Sequence, residues 1–176
     1  PPLMPDWEKF NIREFFQHTF PAAYVVVDND VNIMALGEQR LGDGIGLGHF
    51  LFVKIGTGIG CGIVSNGKIH RGSDGCAGDI GHICVDERGP VCRCGNTGCL
   101  EAMAAAPAIV DKAMRAAKSG ASPLLSHMLE SKAAGPVAAL LSPEDVNAAC
   151  REGDQAALEI ERLPGLRQVS GQQLQH

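Results

Sequence analysis

Gly78-Asp79-Ile80-Gly81-His82 is followed, after nine residues, by Cys92-Arg93-Cys94-Gly95-Asn96-Thr97-Gly98-Cys99-Leu100-Glu101. One histidine and three cysteines therefore fall within 18 residues, at the spacing H-x9-C-x-C-x4-C. A tetrahedral zinc ion takes four nitrogen or sulfur ligands, and three thiolates with one imidazole form one of its closed structural sets. Gly95 and Gly98 lie between the last two cysteines. A chain that folds back around an ion needs positive φ or close backbone approach there. The competing reading is a group of buried free thiols beside a surface histidine. The density of the cysteines and their glycine punctuation favour the metal.

Together, Gly-Asp-Ile-Gly-His and Cys-x-Cys-Gly-x-x-Gly-Cys-Leu-Glu resemble the signature of the ROK family (repressors, open reading frames, sugar kinases). The similarity runs from about Trp7 to about Ala157. It implies an α/β fold of the ribonuclease H-like, actin-like ATPase type, present in part and carrying a zinc-binding loop. His82, Cys92, Cys94 and Cys99 would be the ligands of a structural Zn2+, which fixes a loop and does no chemistry. His82 and Glu101 would also touch a sugar. Asp79 stands where family kinases usually carry a sugar-binding Glu and is one methylene shorter.

Composition narrows the field. The 176 residues carry a net charge of −5, with 45% hydrophobic and 20% charged residues. That is an ordinary globular balance. No run of Lys and Arg marks a nucleic-acid surface, and no stretch of about 18 apolar residues marks a membrane span. The start, Pro1-Pro2 with Asp6, Glu8 and Lys9, does not resemble a secretory signal. Seven cysteines are an odd number, and three of them sit at metal spacing, so a disulfide framework is not expected. A reducing cytoplasm is expected, with Cys61, Cys76, Cys84 and Cys150 as small buried hydrophobes.

Upstream of the metal motif, Trp7 to Phe16 has a partly helical apolar period and predicts a turn and a short helix. Tyr24-Val25-Val26-Val27 predicts a buried strand. It ends at Asp28-Asn29-Asp30, and a helix from Val31 to Arg40 follows, stopped by Gly42. The acidic cluster has two readings. Asp and Asn are favoured helix caps, which is the first reading of the residues alone; the other is that a carboxylate at the end of a strand is placed where open α/β sheets bind ligands. The resemblance bears on the choice, because Asn29-Asp30 matches the family's Asn-Asp pair. It implies that Asn29 hydrogen-bonds sugar hydroxyls and that Asp30 takes the proton from the attacking hydroxyl. A sugar hydroxyl is a weak acid, so its proton must leave as attack occurs, to a base within about 3 Å.

Phe50 to Ile55 reads as a strand, Gly56-Thr57-Gly58-Ile59-Gly60 as a turn, and Cys61 to Val64 as the return strand. Asn66-Gly67 is a two-residue hairpin signal before Lys68-Ile69-His70. A glycine-rich turn brings backbone N–H groups close to an anion. The dinucleotide pattern G-x-G-x-x-G fails at Cys61. A Walker A near-match from Gly62 to Lys68 has Ile69 where the magnesium-binding Ser or Thr belongs, and a hairpin follows it instead of a helix. Gly56 to Gly60 does resemble the second phosphate loop of actin-like ATPases, which implies ATP with Mg2+ if the protein is a kinase. The alternative is a glycine-rich hairpin with no ligand.

Beyond Glu101 the pattern is helical. Pro107 suits a first helical position; Ile109, Val110, Ala113, Met114 and Ala117 share a face, and Gly120 is a stop. Ser142-Pro143-Glu144-Asp145 starts another helix, and Gly153-Asp154 restarts one. The expected organisation is 1–41, the end of a first lobe with the Asn-Asp motif; 42–162, a second lobe with the glycine-rich and zinc loops; and 163–176, a divergent, disordered tail. The family's first phosphate loop and adenosine-binding end are not found, so this chain alone is expected not to phosphorylate sugar.

Two functions compete. One is the sugar-binding part of a ROK-family transcriptional regulator, whose DNA contacts would come from a segment absent from this chain. The other is an ATP-dependent hexose or amino-sugar kinase of glucokinase type. Asp79 and the wording of Leu51 to Gly60 look more like regulators. The expected partners are a small-molecule sugar and further copies of the chain in a homo-oligomer, with no membrane.

Overall fold

Asn11 opens the first helix by accepting the Glu14 amide on its side chain at 3.1 Å, and α1 (Ile12–Thr19) follows. The structure is a computed structural model that describes residues 10–134 and 140–162. Trp7 to Lys9 and the tail at 163–176 lie outside the described residues. The chain forms two units, Pro1–Leu100 and Glu101–His176.

In the first unit, α2 (Asp30–Leu41) ends at Gly42, whose N–H donates to Glu38 O at 3.0 Å. Three antiparallel strands follow, β1 (Phe50–Ile55), β2 (Ile59–Ser65) and β3 (Lys68–Ile69), in the order β1-β2-β3. The meander matches the sequence expectation. Asn66 and Gly67 take φ of 49° and 71°, the left-handed pair that suits a two-residue hairpin because its twist matches that of the strands.

The register places Phe50, Phe52 and Lys54 opposite Val64, Gly62 and Gly60. Residues directly opposite share a face, and α2 packs on this one. Gly60 and Gly62 have no side chains there, so Val31 and Ala35, both buried, lie directly on β2. On the other face Leu51, Val53 and Ile55 are exposed.

Tyr24 to Val27 is not a strand. It runs as irregular chain, with Tyr24 91% exposed and Val26 and Val27 also exposed. A strand exists only with a ladder partner, and among the described residues none lies alongside. The β-branched composition alone therefore misled. Cys61 is buried and Cys150 half-buried as expected, but Cys76 and Cys84 are exposed. Cys76 sits in an irregular loop, and Cys84 is held only by a single bridge to Cys99 outside the sheet.

The second unit is helical: α3 (Leu100–Ala104, entering from the first unit), α4 (Ala106–Ser119), α5 (Pro123–Ala133), α6 (Pro143–Arg151) and α7 (Gln155–Glu161). Gly120 stops α4 in the left-handed conformation, φ 74°. Asp145 closes a capping box on the Ser142 amide at 2.7 Å. Ala113, Ala117, Leu125, Val146, Ala149, Ala157 and Ile160 form the core. Ser122, fully buried, accepts the Leu125 amide and donates to Asp154, tying the start of α5 to the start of α7. No helix among the described residues is long and apolar enough to cross a membrane.

Candidate functional site

Asn29 occupies the N-cap of α2, yet its side chain makes no capping hydrogen bond. The neighbouring carboxylates are engaged. Asp30 accepts the Val31 amide on Oδ1 at 2.8 Å and the Lys54 ammonium on Oδ2 at 2.5 Å. Asp28 accepts Arg71 Nε at 2.9 Å and Nη2 at 2.5 Å on Oδ2, and Asn32 Nδ2 at 2.9 Å on Oδ1. The two carboxylates differ in exposure: the side chain of Asp28 is 14% exposed and that of Asp30 61%. Asp28 thus braces the corner, while Asp30 faces outward. The Lys54 ammonium holds the Asp30 carboxyl below the usual range, against a smaller opposing effect of burial. For Asp28, burial pushes upward, but the bonds from Arg71, Asn32 and the Asn29 amide together outweigh it and lower the pKa.

Arg71, Lys54 and Asn32 were not singled out by sequence reasoning. Lys54 had a visible signal, being the one charged residue in the apolar run Phe50–Ile55. Asn32 is 2% exposed, and its Oδ1 has no partner among the described residues.

The start of β2 is where the predicted site segments of this unit meet. Gly56 to Gly60 links β1 to β2, closed by Gly56 N–H donating to Gly58 O at 2.9 Å. Val31, next to Asp30, packs over Gly60. Along the edge of β2, Cys61 N–H donates to Gly78 O at 2.8 Å, and Gly81 lies against the Ile59 carbonyl. The 3₁₀ turn Ile80–His82 follows, preceded by exposed Asp79. Glu101 lies in the first turn of α3, in the second unit.

His82, Cys92, Cys94 and Cys99 converge, with one ligand atom from each lying within 4.8 Å of all the others. Cys94 Sγ is 3.7 Å from Cys99 Sγ, and Cys92 Sγ is 3.6 Å from His82 Nδ1. Ligands about 2.0–2.3 Å from one tetrahedral centre stand roughly 3.5–3.8 Å apart, so this donor set fits a metal ion. The loop is shaped by backbone bonds, Cys92 N–H to Asn96 O at 2.7 Å and Gly98 N–H to Pro90 O at 2.8 Å. Gly95 and Gly98 take φ of 93° and 68°, as the fold-back requires. Burial pushes the Cys99 thiol up to about 12, while the bond from the Asn96 amide lowers Cys94. A bound cation reverses the first effect, because it binds the thiolate.

A meander under a helix, with a polar corner, a glycine-rich turn and a metal-competent loop meeting at one strand end, defines an α/β protein of the actin-like ATPase fold. The chain belongs to the ROK family, which it matches over residues 2–164. It is 38% identical to a glucokinase of Thermotoga maritima over 165 residues, covering 90% of this chain and 48% of that protein. A ROK family glucokinase from Streptomyces griseus, solved with glucose and AMPPNP, superposes with a TM-score of 0.67 at 31% identity, over 84% of this chain and 46% of that one. A ROK family transcriptional regulator, a homologue of the E. coli MLC protein, superposes with a TM-score of 0.66 at 30% identity, over 84% of this chain and 35% of that one. The chain therefore spans less than half of each of these relatives.

Proposed function

We propose that this chain is the sugar-binding part of a ROK-family transcriptional regulator. Residues 1–41 would close a first lobe and 42–162 form a second. The observation that carries the sugar site is the Asn29–Asp30 corner: an N-cap amide that caps nothing stands beside a carboxylate held by two bonds yet exposed. Sugar hydroxyls donate and accept together, and a free amide next to an ionised carboxylate offers both complements. Asn29, Asp30, Asp79, His82 and Glu101 are the sugar contacts in this reading. Zn2+ is the ion for His82, Cys92, Cys94 and Cys99, because three thiolates and an imidazole in a closed tetrahedron suit it best; bound, it supplies rigidity to the loop.

Asp79 in place of the kinase Glu, the resemblance of Leu51 to Gly60 to regulators and the regulator among the structural neighbours support this choice. DNA would be contacted by a segment outside this chain. Sugar then needs only to favour one of two conformations, and a coupling of about 1–3 kcal/mol suffices. The protein would work in the cytoplasm as a homo-oligomer.

The second reading is an ATP-dependent hexose or amino-sugar kinase, favoured by the identity to a glucokinase across 90% of the chain. There Asp30 is the general base, and Gly56, Thr57, Gly58, Ile59 and Gly60 cradle the phosphates of ATP with Mg2+. The test is calorimetry and a coupled phosphorylation assay with glucose, mannose and N-acetylated amino sugars, on the native protein that carries this chain and on Asp30→Asn. A regulator binds sugar without turnover, and Asp30→Asn weakens binding modestly, since its amide oxygen still accepts. Wild-type phosphorylation that drops by roughly 10²–10⁴-fold in Asp30→Asn, with affinity kept, would overturn the regulator reading.

A further inference from the structure

Lys54 is the residue that joins the separate parts of the candidate site. Its ammonium donates to Asp30 Oδ2 at 2.5 Å across 24 positions of sequence. Its stem runs beside the glycine-rich turn, where a Cβ added at Gly56 would stand 3.9 Å from Lys54 Cε. Gly60, directly opposite Lys54 in the register, has no side chain. The space a larger residue would take there is occupied by Val31. The lysine side chain is 38% exposed, so its charge is not needed to fill the core.

Lone acidic residues on a surface rotate freely. Asp30 does not, because each of its oxygens is bonded to a different element, Oδ1 to the backbone of its own helix and Oδ2 to β1. We propose that Lys54 is a positioning residue of the sugar site, which holds the Asp30 carboxylate in the orientation that accepts a sugar hydroxyl. This rests on the sugar-binding reading of the Asn29–Asp30 corner. A carboxylate oxygen has two acceptor positions, so the bond from Lys54 leaves room on Oδ2 for a hydroxyl donor. Ionised and paired with the ammonium, Asp30 stays acceptor-only, the complement of a donating sugar hydroxyl.

The test is a double-mutant cycle on sugar affinity in the native protein, read by calorimetry with the sugar from the panel above that wild type binds. Lys54→Met should weaken binding about two- to fivefold, the range of a partly exposed ion pair. Lys54→Arg should recover most of that loss, because it restores a cation to the same carboxylate. In the Asp30→Asn background, where the amide oxygen can accept only a weaker bond without the ion pair, Lys54→Met should cost clearly less than it does in wild type, the non-additivity expected of residues in contact. An equal loss in both backgrounds would show that Lys54 acts independently of Asp30 and would overturn the proposal. So would tighter binding in Lys54→Met, which would make the lysine a competitor of the sugar. Wild-type binding that Lys54→Met leaves unchanged overturns the role of Lys54 alone; wild type that binds no sugar of the panel overturns the sugar-site reading itself.

Discussion

Gly62→Ala probes the contact on which the corner depends. A Cβ built at Gly62 would lie 2.5 Å from Ala35 Cβ and would also press on the Val31 carbonyl oxygen. Carbon atoms rest at about 3.5–4.0 Å, so helix and strand must part by roughly 1–1.5 Å. Neither obstacle is the end of a flexible side chain that can swing aside; one is backbone and the other a methyl fixed to the helix. Overpacking of this kind costs about 1–3 kcal/mol. With an m-value of about 1–3 kcal/mol/M in urea, the midpoint falls by around 1 M. The displaced helix carries Asp30, so the bond to Lys54 loosens and sugar affinity falls too. Two neighbours serve as controls. At Gly60 the added atom meets Val31 Cγ1 at 3.1 Å, a side-chain methyl that can yield, and the cost should stay below about 1 kcal/mol. At Gly37, inside α2, nothing lies within 4 Å, and Ala should stabilise by roughly 0.5–1 kcal/mol. The measurement is urea unfolding by circular dichroism, with hydrogen exchange of the β2 amides to identify the transition of this unit. Gly62→Ala within about 0.5 kcal/mol of wild type would refute the reasoning that α2 rests directly on the β2 backbone.

The remaining predictions concern the brace and the metal loop. Arg71→Met should destabilise the first unit by roughly 1–2 kcal/mol near neutral pH, since it removes both bonds to Oδ2 of the mostly buried Asp28 carboxylate and leaves only those on Oδ1. The folded pKa of Asp28 lies below its unfolded value, so its contribution is full above the unfolded pKa and is lost as pH falls through the folded one. The gap between Arg71→Met and wild type should therefore close in acid; a gap that stays constant with pH, in unfolding followed from neutral to acid, would count against the brace. Protein purified without chelator should hold about one equivalent of Zn2+ by elemental analysis, and Cys94→Ser or chelation should lower its melting temperature, because a closed structural site contributes folding free energy. Less than about half an equivalent on a well-folded chain would exclude the zinc assignment.

What the sequence determined by itself is what short separations control. The ligands His82, Cys92, Cys94 and Cys99 converge because their spacing and the positive φ of Gly95 and Gly98 leave the chain few other paths. The Asn66-Gly67 hairpin, the α6 capping box at Ser142 and the Gly120 stop are local in the same sense. Even α5, not anticipated, announces itself with Ser122-Pro123, the cap-and-proline pattern read correctly at Ser142-Pro143. Only the tertiary structure decided the rest, because it turns on partners distant in the chain. Asp28 to Asp30 could be read as helix caps or as ligand groups until the fold brought Lys54 and Arg71, 24 and 43 positions away, onto the two carboxylates and left the Asn29 side chain without a capping bond. Tyr24 to Val27 has strand composition, and Cys76 and Cys84 have the composition of a core. Pairing and burial, however, are properties of what lies across from a residue: nothing among the described chain pairs with Tyr24 to Val27, and the single bridge from Cys84 to Cys99 leaves Cys84 exposed.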